Sequence, residues 1–120
     1  TSGAEIHPSV APQAAEKVII KNYPNSFYKT ELQQHLRNQK IETLVIAGMM
    51  THMCIDTTVR AAYDLGYTNI VISDCCATKD LRFQDRTIPA VQVQAAFLAA
   101  LHGTFANVLS KEAFLTGGKS

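Results

Sequence analysis

An excess of charge of either sign is missing from this sequence: 11 Lys and Arg residues balance 10 Asp and Glu across 120 positions. With no basic cluster either, nothing supplies the field that draws a protein to nucleic acid or to an anionic membrane, and neither is expected as a partner. No apolar run approaches the roughly 20 residues that cross a bilayer, and no charged start followed by an apolar stretch marks a secretory leader. A cytoplasmic protein is the expectation. Cysteine is scarce, with 3 residues of which Cys75 and Cys76 are adjacent, and this odd count makes no disulfide framework. Adjacent cysteines cannot easily place both sulfurs on one ion, and His52 with Cys54 lacks a second ligand pair, so no metal and no cofactor is expected. No Gly-x-Gly-x-x-Gly follows an apolar run, which argues against a dinucleotide site. Repeats and low-complexity segments are also absent.

What the chain does have is the stretch Leu44 to Gly66, LVIAGMMTHMCIDTTVRAAYDLG. Leu44 to Ala47 is a short continuous apolar run, the pattern of a strand buried on both faces of a parallel sheet, and Gly48 is expected to end it. From Cys54 onward Ile55, Val59, Ala62 and Leu65 recur at helical spacing, and Gly66 stands where a helix C-terminus favours a left-handed residue. Cys54 therefore falls near the first turn of a helix, where unpaired backbone N–H groups and the positive end of the dipole favour a thiolate and can bind an oxyanion. Strand, sharp turn, nucleophile and helix is the plan of a nucleophile elbow. A cysteine beside a helix start is also commonly a small buried residue with no chemistry.

The other elements support an α/β reading. At 120 residues the chain is one domain at most. The opening segment, broken by Pro8 and Pro12, reads as loop. Lys17 to Lys21, KVIIK, reads as a strand with Lys21 at its carboxyl end, where ligands bind in open parallel sheets; a solvated lysine at a strand end is the plainer reading. Thr30 with Gln33 has the pattern of a capping box opening a helix that ends near Gln39. Asn69 to Ser73 reads as the next strand, followed by Asp74, Cys75 and Cys76, where Asp74 is expected to cap or tie the following loop through hydrogen bonds. Thr78 to Thr87 reads as an exposed charged loop. Pro89 opens a helix with Ile88, Val91, Ala95, Leu98 and Leu101 on one face, ended by Gly103 and buried over much of its surface. Ala106 to Ser110 reads as a last strand and the GGKS terminus as frayed. The alternation of strand and helix predicts a three-layer α/β/α fold with a mostly parallel, doubly wound sheet. Exposed sheet edges in so short a chain, and the apolar helix from Ile88 to Leu101, favour a homo-oligomer.

Gly48, Thr51, Cys54, Thr58, Arg60 and Ala62 match, place by place, a pattern of strand, Gly, two residues, Thr, two residues, Cys and a helix with Thr-x-Arg-x-Ala. In this the chain resembles the cysteine-hydrolase branch of the isochorismatase-like superfamily, which includes nicotinamidases and N-carbamoylsarcosine amidases. A second matching stretch is VIIKNYPNSFYKTELQQHL, with Lys21, Ser26, Phe27 and Thr30 in the family's places. The resemblance implies Cys54 as nucleophile and Lys21 as its catalytic partner. It also implies the backbone N–H groups of Met50 and Cys54 as the oxyanion hole and a cis peptide between Met49 and Met50. Phe27 and His52 become expected substrate contacts, although an aromatic at position 27 is equally suited to core packing. A helix position that is often histidine in relatives carries Gln94. The aspartate that accepts the proton in the family lies on a first strand ending Asp-x-Gln, which this sequence does not contain. Residues 1–120 are thus expected to be the C-terminal portion of a single such hydrolase domain. The expected activity is hydrolysis of a small amide or ureide C–N bond through a thioester. The alternatives are a non-catalytic binding protein on the same scaffold and a thiol redox sensor at Cys75 and Cys76.

Overall fold

The two most apolar short runs, around residues 45 and 71, become neighbouring parallel strands. In the computed structural model, which describes residues 2–117, the elements in chain order are α1 (Leu32–Asn38), β1 (Thr43–Met49), α2 (Asp56–Asp64), β2 (Thr68–Ala77), β3 (Leu81–Phe83), β4 (Arg86–Ile88), α3 (Ala90–Leu101), β5 (Asn107–Leu109) and α4 (Lys111–Leu115). A π-helical turn, Thr51–Ile55, joins β1 to α2. The sheet has the order β1-β2-β5 with both pairings parallel, and β3 and β4 form a separate antiparallel hairpin. The fold is α/β, a mostly parallel sheet flanked by helices, as the alternation of patterns predicts. Among the described residues no helix is long and apolar enough to cross a membrane.

The core lies where α2 and α3 meet over the sheet. Ile55 from the turn before α2, Val59 from α2, Val71 from β2, and Leu101 and Ala106 from the end of α3 and beyond form one buried cluster, with Ile46, Leu98, Phe105 and Val108 packed on it. Ile46, Val71 and Val108 share one register position across the three strands, so they point to the same face. Gly66 closes α2 with φ 98°, a left-handed position as expected.

Several elements differ from expectation. β1 does not end at Gly48 but runs through it to Met49, because the ladder breaks and resumes. Ile46 pairs with Val71, yet Gly48 pairs with Cys76. Gly48 takes φ 135° at this break, a conformation that L side chains rarely adopt. β2 runs on to Ala77, so Asp74, Cys75 and Cys76 are strand residues. Asp74 Oδ1 accepts from the Lys111 backbone N–H at 2.7 Å, fastening the first turn of α4 to β2 rather than tying the loop after the strand. α4 itself was not expected from the sequence. The charged segment after β2 folds into the β3–β4 hairpin with Gln84 at φ 55° in its turn. At α1, Thr30 Oγ1 accepts from Leu32 N–H at 3.3 Å, with no reciprocal bond from Gln33. The buried side of α3 is Val93 and Leu101 with Gln94, Phe97 and Leu98 half-buried, whereas Val91 is 75% exposed and Ala95 is exposed. A glutamine in the inward row hides that face from a purely apolar pattern.

The largest departure is Lys17 to Lys21. This segment lies outside every strand of the structure, and Val18 and Ile20 are 51% and 83% exposed. Its β-branched residues favour extension, but a strand exists only where a neighbour completes the ladder, and no described strand pairs with it. Of the GGKS terminus, residues 118–120 lie outside the described residues. Residues 2–16 are exposed, with single 3-10 turns at Ser2–Ala4 and Pro8–Val10.

Candidate active site

β1 delivers the chain to the carboxyl end of the sheet, where a sharp reversal carries Cys54 into α2. The Met49–Met50 peptide is cis. The Met50 carbonyl is turned into the elbow and accepts from Met53 N–H at 3.0 Å and from Ile55 N–H at 3.3 Å, which winds residues 51–55 into one wide turn. Thr51 and Ile55 are buried in that turn and Cys54 is half-buried. The thiol therefore rides on the rim of a turn whose inner residues belong to the core.

Lys21 meets this thiol across 33 positions of sequence, with Nζ donating to Cys54 Sγ at 3.2 Å. The same ammonium donates to the carbonyls of Tyr23 at 2.9 Å and Pro24 at 3.4 Å. Its three N–H bonds thus have three acceptors, two neutral and one that ionises. The loop carrying those carbonyls is fastened to α2 through Thr58, whose hydroxyl accepts from Ser26 N–H at 3.0 Å and lies 3.3 Å from the Pro24 carbonyl and 3.1 Å from Ser26 Oγ. Thr58 is one turn beyond Cys54, so a single helix holds both the nucleophile and the loop that orients its cation.

Thr51 is fully buried, and its hydroxyl donates to Gln94 Oε1 at 2.6 Å. Gln94 Nε2 donates to the Ser73 carbonyl at 3.0 Å and to that of Cys76 at 3.2 Å. The third polar residue of the motif, Arg60, pairs with Asp56 through Nε at 3.1 Å and lies 4.5 Å from the centre of the Phe105 ring. Arg60 covers the core edge by its own packing, one turn after Asp56.

The structure thus brings Lys21 and Cys54 together. Met50 lies at the elbow beside them. His52 is held by Thr78 Oγ1 at 2.7 Å from Nδ1 and meets the edge of Phe97 at 6.0 Å between ring centres, a contact that ties the elbow to α3. Phe27 stacks on Tyr67 at 5.9 Å between ring centres, both rings half-buried. Thr58 and Gln94 organise the site, and sequence reasoning had assigned a role to neither. Their signal was present only as matches or mismatches to a pattern.

Carboxylates are turned elsewhere. Asp56 is engaged by Arg60, Asp74 by the Lys111 N–H and Asp80 by the Ala90 N–H, and among the described residues none lies within ion-pair distance of Lys21. Among the described residues no three His, Cys, Asp or Glu side chains converge on a position for a metal ion. The three cysteines are free thiols. Cys75 is exposed and Cys76 half-buried on consecutive strand positions, which point to opposite faces. Burial pushes the Cys76 thiol above its ordinary pKa, more than a hydrogen bond with the Gly48 backbone lowers it, and neighbouring Cys75 adds to the rise. A cavity of about 430 Å³ lined by Tyr63, Asn69, His102 and Phe105 opens at the amino ends of β2 and β5, away from the elbow at the carboxyl end of β1.

Comparison with known proteins places this geometry. Residues 1–112 match the isochorismatase domain. The chain is 50% identical over 115 residues to the uncharacterized isochorismatase family protein YddQ of Bacillus subtilis, covering 96% of this chain and 64% of that protein. A nicotinamidase of Escherichia coli is 30% identical over 108 residues, covering 80% of this chain and 51% of its own length. The crystal structure of a putative isochorismatase hydrolase from Oleispira antarctica superposes with a TM-score of 0.94 at 51% identity, covering 98% of this chain and 62% of that one. This chain therefore spans under two thirds of the length of these relatives.

Proposed function

The chain belongs to the isochorismatase family, and from that membership we propose that residues 1–120 form the C-terminal portion of a cysteine hydrolase that cleaves the C–N bond of a small amide or ureide. The observation that carries this reading is the 3.2 Å contact of the Lys21 ammonium with Cys54 Sγ at the head of α2. An ammonium whose other two N–H bonds are fixed by backbone carbonyls points its third at the sulfur and stabilises the anion there. The family relative named nicotinamidase favours an amide as substrate.

In the reaction we propose, the Cys54 thiolate adds to the amide carbonyl carbon and the oxygen takes up the negative charge, held by the backbone N–H groups of Met50 and Cys54. The tetrahedral intermediate collapses with loss of ammonia or an amine, which leaves with the proton first removed from the thiol. Water then adds to the thioester, its C–S bond breaks, and the carboxylic acid and the free thiol are regenerated. The sum is amide plus water giving acid plus amine. Lys21, as a cation, stabilises thiolate and oxyanion but is a poor proton acceptor. The accepting carboxylate corresponds to the aspartate of the resembling family, for which the described residues offer no counterpart at Lys21.

The test is ammonia release from simple primary amides by the protein and by a Cys54→Ala variant. Turnover that is abolished in the variant supports the reading, and turnover that persists there overturns it. A protein with no turnover whose Cys54 reacts no faster than free cysteine belongs instead to the non-catalytic class on the same scaffold.

A further inference from the structure

We propose that Gln94 is a positioning residue of the elbow, a side chain that locks the Cys54 turn to the sheet at the place where the β1–β2 ladder fails. This rests on the reading of Cys54 as the nucleophile. The need for such a lock comes from the register. Between Val71 and Cys76 β2 advances five positions while β1 advances two, from Ile46 to Gly48, so the intervening β2 residues have no β1 partners. Backbone carbonyls left in that gap must find other donors when buried. Gln94 supplies one, donating to the Ser73 carbonyl inside the gap at 3.0 Å, and also donates at 3.2 Å to the carbonyl of Cys76, where pairing with Gly48 resumes. Its remaining atom, Oε1, accepts the Thr51 hydroxyl at 2.6 Å, and Thr51 is the first residue of the turn that carries Cys54.

A primary amide suits this position for a specific reason. It offers two N–H donors and one carbonyl acceptor on one planar group, and here all three are used. Thr51 has the shorter of its two hydrogen bonds to Gln94, since the Ala77 carbonyl is at 3.3 Å. The neighbouring titratable groups are Cys76 and Cys75 on β2, Asp74 turned to the Lys111 N–H, and His52 held by Thr78, so no ionised partner bonds to Gln94. The lock is an uncharged one. It acts through Thr51 on the orientation of the turn, and so on the direction in which Cys54 meets Lys21.

The test compares wild type, Gln94→Leu, Thr51→Val and Thr51→Ser by two readouts, amide hydrogen exchange over residues 50–56 and the alkylation rate of Cys54 across pH. The expected result for Gln94→Leu is elbow exchange faster by about tenfold or more, with Cys54 alkylation slower by a similar factor and β5 exchange unchanged. Thr51→Val should reproduce both effects, Thr51→Ser should retain wild-type behaviour, and the Val and Leu changes combined should be far from additive. A folded Gln94→Leu protein with unchanged elbow exchange and alkylation overturns the proposal, as does exchange that accelerates equally throughout the sheet. Should Gln94→Leu fail to fold, equal behaviour of Thr51→Val and Thr51→Ser overturns it. If wild-type Cys54 reacts no faster than free cysteine, the hydrolase reading fails, and hydrogen exchange alone still decides the role of Gln94.

Discussion

The elbow at residues 49–55 and the arm at residues 17–21 carry the two halves of the Lys21–Cys54 pair, and they are held in opposite ways. The elbow is built into the core. Ile55 and Thr51 are buried, Gln94 bridges it to β2, and α2 continues it into Val59, which is fully buried. The arm has no ladder and no core, and its lysine is set by the loop that Thr58 fastens to α2. A nucleophile placed by packing and a cation placed by a loop respond differently to mutation, since core positions couple to global stability and exposed segments do not.

That contrast can be broken most severely at the core. Leu101→Ala removes a fully buried side chain beneath the elbow and is expected to cost about 2–5 kcal/mol in denaturant unfolding, whereas Ile20→Ser on the arm is expected to stay within about 0.5 kcal/mol. Equal costs at the two sites would mean that the arm is as much a part of the folding unit as the elbow. At the ladder break, Gly48→Ala places a methyl group where φ is 135°. Its nearest neighbour is Ile55 Cδ1 at 3.6 Å, an ordinary contact, so the cost of about 1–3 kcal/mol comes from the backbone and should appear as a lower melting temperature.

How far such positions could be read in advance depends on whether their cause is local. The strand, turn and helix around Cys54 were legible because apolar runs, helical spacing and Gly66 all act over a few residues. The Lys21–Cys54 meeting was implied only by resemblance to a known pattern, since nothing local links residues 33 positions apart. KVIIK has every local mark of a strand and is not one, because a ladder needs a partner that composition does not reveal. Gln94 was illegible for a related reason. A polar residue in the inward row of α3 weakens the apolar pattern, and its purpose emerges only when the break between Ile46 and Gly48 is seen to leave the Ser73 carbonyl without a β1 partner. α4 escaped notice because five residues carry too little periodicity.

Smaller effects sharpen the same contrast at the two thiol environments. Lys21→Ala should slow Cys54 alkylation by about tenfold while leaving the melting temperature nearly unchanged, as expected for an exposed cation held by a loop. A large stability loss in this variant would show that the arm supports the fold. Cys76 offers a pH test. Burial favours its neutral thiol, so the folded chain binds that proton more tightly than the unfolded chain, whose thiol titrates near the ordinary 9.0. The associated stability is fully present below that value and is lost as pH rises through the folded one. Unfolding midpoints should therefore fall more from about pH 8 to about pH 10 in wild type than in Cys76→Ala, and identical slopes would remove Cys76 from the account.

The most direct test of the central claim is the rate of Cys54 alkylation at neutral pH, followed peptide by peptide so that Cys75 and Cys76 serve as internal references. An activated nucleophile predicts that Cys54 is modified first and faster than free cysteine, with Lys21→Ala abolishing the advantage. Modification of Cys54 at or below the rate of free cysteine, or after Cys75, would contradict the assignment of this elbow as a catalytic site.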